Sequence, residues 1–474
     1  MSDSPKMRQL KEVLGRLSRE EADRLIVAVE RDKLASGRMP HELILDALRP
    51  KLKETPAASR KRGGAPTPVR HLCWPFEELL VNERDGPKHR GRIPRTSIMP
   101  VWTWLAEDRL PDTLPKISER IVEHTLAKDD EALAATVGVL HASCTGAIRA
   151  GIEEAPPGSH ARRLLVERLG GEAILEDARE MALLLEVSPQ LSVFKEGMPR
   201  NVAELTPEIA GQVRDLFDEL VATQPDAAPY AAVIAMRRIE KPWQMFRIVK
   251  GVAHTNTDVL VSRTDISIVG ELLLLDMEGA VDRMETIDPG EDPDAVVDAL
   301  RRFTQISRGI TEEIGIRRDG AWATRLMSAR GAVSEIIRDR LERASAVIVK
   351  ALPMRTAGRF GRGGPSRPDL SHPADPARVA RAHKTLLFLQ NARRYAQPGS
   401  FTGAHNAAST EIDRYLDDYE RGILEELRCE DAAIRARAET CLDAVADMVD
   451  VFRGPEEASL LRRRGMVAAN AAAV

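Results

Sequence analysis

His254, Asp258, Ser262 and Asp265 follow one another at spacings of four, four and three residues, so on a continuous helix their side chains would share one face. An imidazole beside two carboxylates is a set that binds a metal or relays a proton. The intervening Thr255, Asn256 and Thr257 read instead as a helix break. Asn256 or Thr257 then caps a new helix, Asp258 favours its positive end, and His254 favours the negative end of the helix before it. Capping is the expected role of these residues. A helical enzyme with a site at His254, Asp258 and Asp265 stands behind two other readings given below.

The remaining candidates for chemistry are sparser. His141 and Cys144 share a face at i, i+3 but lie on an apolar stripe, so a hydrogen-bonded core histidine is expected there. His71, Cys73 and His89 supply at most three ligands around a polar loop. Cys73, Cys144, Cys429 and Cys441 form no CxxC pair, which fits reduced thiols rather than a disulfide framework or structural zinc. The absence of any Gly-Lys dipeptide excludes a P-loop nucleotide site. Gly358, Gly361, Gly363 and Gly364 do not follow GxGxxG, and neither GxSxG nor HExxH occurs. The turn Gly399–Asn406 offers backbone amides and His405 at a helix start, where an N-cap explains them without an anion. The expectation is a protein with no cofactor and no metal, and one that is not an enzyme.

The elements that must position any site are helices. Aromatic residues make up 4% of the 474, while Leu, Ala, Glu and Arg recur throughout, so an all-α class is expected. The spacing Leu10, Val13, Leu14, Leu17, with a capping box at Ser18 and Glu21, marks a short N-terminal helical module over residues 1–50. Residues 51–70 form a basic Pro/Gly linker, 71–352 a main helical body, 353–376 a second Gly/Pro/Arg linker, 377–453 a C-terminal three-helix unit, and 454–474 a flexible tail. The body is an irregular array without a repeat period, with helices expected at 161–186, 202–222, 229–253, 258–284, 294–314 and 321–352. Within it, Leu133, Val137, Leu140, Cys144 and Ile148 make an apolar stripe, and Gly138, Ala142 and Gly146 make a row of small residues against which a neighbouring helix can approach closely. The segment Ile266–Leu275 is too short and too interrupted to span a bilayer, and residues 1–21 lack a signal-peptide core, so a cytoplasmic location is expected.

Charge is distributed unevenly. The chain carries a net charge of −4, yet residues 51–70 hold six basic and one acidic residue, 84–95 five and one, and 355–368 four and none. Such connectors ordinarily meet acidic helices of the same molecule or stay solvated. Their sharper use is recognition of an acidic partner by Arg60, Lys61, Arg62, Arg90, Arg92, Arg95, Arg359 and Arg362, with Trp74 and Trp102 as anchors. For the aromatic-rich stretch 71–105 the plainer expectation is that its tryptophans fasten two short helices, entered at Pro75 and Pro100, to the body. The helix bearing Glu411, Asp413, Asp417, Asp418 and Glu420 has an acidic face able to receive one of the basic linkers. A non-enzymatic adaptor, scaffold or regulator that docks one or more proteins is the leading expectation, and nucleic-acid association through the same arginines is second.

Overall fold

Helices in this chain start where a side chain or a proline takes care of orphan backbone donors. Asp129, Ser159, Thr206, Asp292, Asp375 and Asp431 each accept a hydrogen bond from an amide of the first turn that follows. Pro207, Pro293 and Pro376 occupy first helical turns, where a missing N–H costs nothing. The computed structural model describes residues 68–82, 86–248, 267–314, 320–356 and 366–471, and the chain divides into two units, Met1–Glu240 and Lys241–Val474. The N-terminal module and most of the first linker lie outside the described residues, as do Arg60, Lys61, Arg62, His254, Asp258, Asp265, Arg359 and Arg362.

In the first unit, α1 (Pro68–Cys73) runs into a 3-10 segment, Trp74–Leu79, and a two-stranded parallel pair follows, β1 (Leu80–Val81) with β2 (Ile93–Pro94), Leu80 opposite Ile93. Helix α2 (Ile98–Trp104) widens into a π-helical turn at Leu105–Arg109. Then come α3 (Leu114–Ala127), α4 (Asp130–Glu153), α5 (His160–Leu169), α6 (Glu172–Glu186), α7 (Ser188–Gly197), α8 (Pro207–Thr223) and α9 (Ala228–Arg238). A single helix was expected over 161–186. Gly170 and Gly171, at φ 89° and 150°, break it into α5 and α6, because these backbone angles are strained for any residue with a Cβ. Helix α9 is buried on every side from Ala228 to Met236, as suits a helix apolar all round, and packs on α7, α8 and the 3-10 segment.

Helix α4 lies on α3 and α6 through Leu133, Leu140, Cys144 and Ile148, the predicted stripe. Its row of small residues behaves differently from expectation: Gly138, Ala142 and Gly146 are exposed, and among the described residues no atom comes within 4 Å of a Cβ placed on either glycine. By length and composition alone, α4 is also the one described helix apolar enough to cross a bilayer, a test that a core helix passes as well. The expected core histidine is present. His141 is buried, with Nδ1 3.0 Å from Ser188 Oγ and Nε2 3.0 Å from the His71 carbonyl, and burial holds its pKa below the ordinary range.

The second unit contains α10 (Ile268–Thr286), α11 (Pro293–Glu313), α12 (Ala321–Ala351), the antiparallel pair β3 (Met354–Thr356) and β4 (Ser366–Pro368), and then α13 (Pro376–Ala392), α14 (Thr402–Glu426), α15 (Ala432–Arg453) and α16 (Pro455–Ala471). Helix α12 is its centre, packing on α10, α13 and α14 through Leu326, Ala329, Val333, Ile337, Leu341, Ala344 and Ile348, a seam at three- and four-residue steps. The architecture is all-α, as expected. The tail was expected to be flexible; instead residues 455–471 are helical, and α16 buries Ala458, Leu461 and Ala468 against α15. The second linker contributes β4 to the unit: Pro368 lies so close to α14 that a Cβ on Gly422 would come within 2.5 Å of it, and Arg367 stands 3.7 Å from Glu425 and Glu426. The acidic helix α14 thus receives a basic linker residue of its own chain.

A tight contact in this unit yields a prediction. A Cβ on Gly270 of α10 would fall 2.0 Å from the buried Trp322 ring of α12, whose Nε1 donates to Glu271 at 2.6 Å. Gly270→Ala is expected to destabilise by roughly 1–3 kcal/mol through overpacking, and adding Trp322→Leu to recover part of the loss in denaturant unfolding of the full chain.

Candidate partner-docking site

The basic residues expected to face a partner between 86 and 95 are held largely by their own unit. Asp177 and Glu180 lie one turn apart on α6 and both are buried, Asp177 completely. Ser97 Oγ donates to Asp177 Oδ2 at 2.6 Å, Lys88 Nζ stands 2.9 Å from Asp177 Oδ1 and also pairs with Glu180, and the Gly91 amide donates to Glu180 Oε1 at 2.7 Å. Lys88 further donates to the Arg92 carbonyl at 2.6 Å. Arg90 donates from Nε to the Tyr230 hydroxyl at 3.2 Å and lies 4.8 Å over its ring. Burial, reinforced by the charge of Glu180, pushes the Tyr230 phenol up to about 12. Buried carboxylates need cations, and the loop supplies them. Arg92 is half-buried, while Arg95 remains exposed.

A second buried ionic group fixes Trp74. Lys195 Nζ, on a side chain 1% exposed, stands 2.7 Å from Glu78 Oε2 and donates to the Trp74 carbonyl. It also sits 4.3 Å over the Trp74 ring, with Arg200 at 5.9 Å. Arg238 donates to Glu78 Oε1 at 2.8 Å and 3.0 Å and to the carbonyls of Lys195 and Met198 at 2.6 Å and 2.9 Å. Trp74 keeps 36% of its surface exposed. Trp102 is 5% exposed and anchors α2 to the core, so it has no surface to offer a partner, contrary to its proposed use. Cys73 and Cys144 are buried, which pushes both thiols up to about 12 and keeps them protonated and unreactive near neutral pH. His71, Cys73 and His89 do not form a metal centre, since no group of three or more potential ligands converges among the described residues.

A concave surface among the described residues of this unit lies elsewhere, over Trp104. A cleft of about 250 Å³ has Trp104 on its floor, with Ala155, Leu164 and Leu165 beside it. Gly151 of α4 makes room for the indole, since a Cβ there would meet it at 2.5 Å. The π-helical turn, closed by the Leu110 amide on the Leu105 carbonyl at 2.7 Å, carries Arg109 to one rim, where its two NH groups grip Glu154 at 2.7 Å and 2.9 Å. Arg168 forms the other rim, bonded to Asp108 at 2.6 Å and Glu107 at 2.5 Å. Leu164 is 53% exposed. Single π-helical turns are rare and recur at functional sites. In the sequence, Trp104 and Gly151 stand 47 positions apart with nothing to couple them, and the i to i+5 turn has no compositional mark, so the cleft was not legible there.

Comparison of this chain with protein-family models, with curated proteins and with solved structures finds no match to any of them.

Proposed function

We propose that this chain is a non-enzymatic cytoplasmic adaptor, scaffold or regulator that binds another protein through the cleft over Trp104. The observation that carries this reading is the cleft's composition: half-exposed Leu164 supplies the apolar surface, the buried Trp104 ring closes the bottom beneath it, and two rims of arginine–carboxylate pairs flank them. An apolar centre with a polar rim is the anatomy of a protein-binding surface. The arginines are already fixed in bidentate or doubly bonded geometry, so little side-chain entropy is lost when a partner settles between them. Exposed Trp74 and Arg95 of the same unit are further candidates for contact with an acidic partner, and Arg60, Lys61, Arg62, Arg359 and Arg362, outside the described residues, stay candidates on sequence grounds alone.

The test compares the full chain with Leu164→Asp, a change at an exposed position, in capture from host lysate with and without nuclease, followed by mass spectrometry. The expected result is one or a few proteins retained regardless of nuclease and reduced about tenfold or more by Leu164→Asp, as for an anchor at the centre of an interface. An identical set retained by the variant overturns the cleft as the docking site. A set that collapses on nuclease treatment replaces protein docking with phosphate contacts by the basic segments.

A further inference from the structure

We infer that the chain pairs with a second copy of itself through the outer face of α4, the two helices crossing antiparallel at the level of residue 140. This goes beyond the docking reading and is independent of it, since the cleft lies on the opposite side of that helix. The outer face runs through Ala134, Ala135, Gly138, Val139, Ala142 and Gly146, all exposed, Val139 by 55%. No charged residue occurs between Glu131 and Arg149, and both of these are exposed on the same side. Each mid-helix glycine costs about 1 kcal/mol relative to alanine. Within the described residues neither Gly138 nor Gly146 has a neighbour that an added methyl would strike. Packing among the described residues therefore does not account for the two glycines, whereas close approach of another helix does.

The occupant follows from the order of residues along the face. In an antiparallel two-fold pairing centred on residue 140, position i meets position 280 − i of the other copy, a relation that any self-complementary interface must obey. Gly138 then meets the partner's Ala142, Ala134 meets the partner's Gly146, and Glu131 meets the partner's Arg149. Small residues oppose small ones at the crossing point, and opposite charges oppose each other at both ends. Arg149 is already paired with Glu186 of its own chain, with Nη1 2.9 Å from Oε1, and about half of its side chain stays exposed. Its fixed guanidinium is thus placed to take a second carboxylate. A contact along one helix face is small, so association in the micromolar range is expected.

Sedimentation velocity on the full chain from about 1 to 200 μM tests this. The parent is expected to shift from monomer to dimer over that range. Ala142→Glu, at an exposed position, is expected to weaken the dimer by about tenfold or more by burying like charges at the crossing, with circular dichroism unchanged. Glu131→Arg is expected to weaken it as well, and Glu131→Arg combined with Arg149→Glu and Glu186→Arg, which keeps the pair within the chain, to restore it. A parent that stays monomeric throughout, a dimer that Ala142→Glu leaves intact, or a charge reversal that the triple variant does not restore would each overturn the pairing. The first of these is also the result if another protein or a lipid surface covers the face.

Discussion

Glu78→Gln is expected to destabilise the unit Met1–Glu240 by about 3–5 kcal/mol, the usual cost of removing one partner from a buried ionic group. Glu78, itself 18% exposed, stands between two cations that have almost no access to water: the side chains of Lys195 and Arg238 are 1% and 6% exposed. Without the carboxylate charge the two are left facing each other with neutral acceptors, the Gln amide oxygen and the carbonyls of Trp74, Lys195 and Met198, and with the weaker influence of Glu77 on Lys195. Adding Lys195→Met removes one of the uncompensated charges and is expected to recover part of the loss, which separates electrostatics from a general packing defect. Denaturant unfolding of the parent, the single and the double variant measures both steps.

The same group gives a pH signature. Burial opposes the ionised form of Glu78, but Lys195 and Arg238 outweigh it and hold its pKa below the ordinary carboxylate range. The unfolded chain therefore binds its proton at higher pH than the folded one, so the Glu78 contribution is fully present above the unfolded pKa and is lost as pH falls through the folded one. Glu78→Gln is expected to flatten that acid limb. Lys195 has the opposite sense. Its pKa is held below the ordinary lysine range by burial, with Glu78 pulling it back up. The unfolded chain then carries more protons than the folded one, and stability rises with pH between the folded and unfolded values. Losing Glu78 widens that gap, so the deficit of Glu78→Gln is expected to shrink as pH rises from 7 toward about 10. A deficit that stays constant over this range would show that Lys195 is not the group left unpaired.

Asp177→Ala is the second large effect, expected at about 3 kcal/mol. Asp177 has no solvent exposure and takes both Ser97 and Lys88. Its loss strands the Ser97 hydroxyl in the core, worth about 1–3 kcal/mol by itself. Lys88 keeps Glu180, which places the change below that of Glu78→Gln. The outcome has a local readout. Residues 86–97 lose two of the bonds that hold them to α6, so trypsin is expected to cleave after Lys88, Arg90 or Arg92 under native conditions faster than in the parent. Unchanged cleavage with lowered stability would mean that Glu180 and Tyr230 alone hold the segment.

Sequence alone determined where most helices lie. The span expected at 294–314 is α11, Pro293–Glu313, and that at 321–352 is α12, Ala321–Ala351. Their signals are local: an Asp cap and a first-turn proline for α11, and an apolar repeat for both, each acting across three or four residues. The same locality made His141 readable as a core residue, because it sits on the apolar stripe of its own helix. Tertiary structure decided which faces are covered and which charges point inward. Trp102 and Trp104 are both buried, yet only Trp104 lies beneath a cleft, because Gly151 makes room for its ring and the π-helical turn carries Arg109 to the rim above it. Lys88 faces α6 because its partner Asp177 lies 89 positions away, and no pattern within a helical turn encodes that pairing. Small residues at Gly138, Ala142 and Gly146 mark where a helix can approach, but whether one does within the chain depends on how distant segments pack, and among the described residues none covers that face.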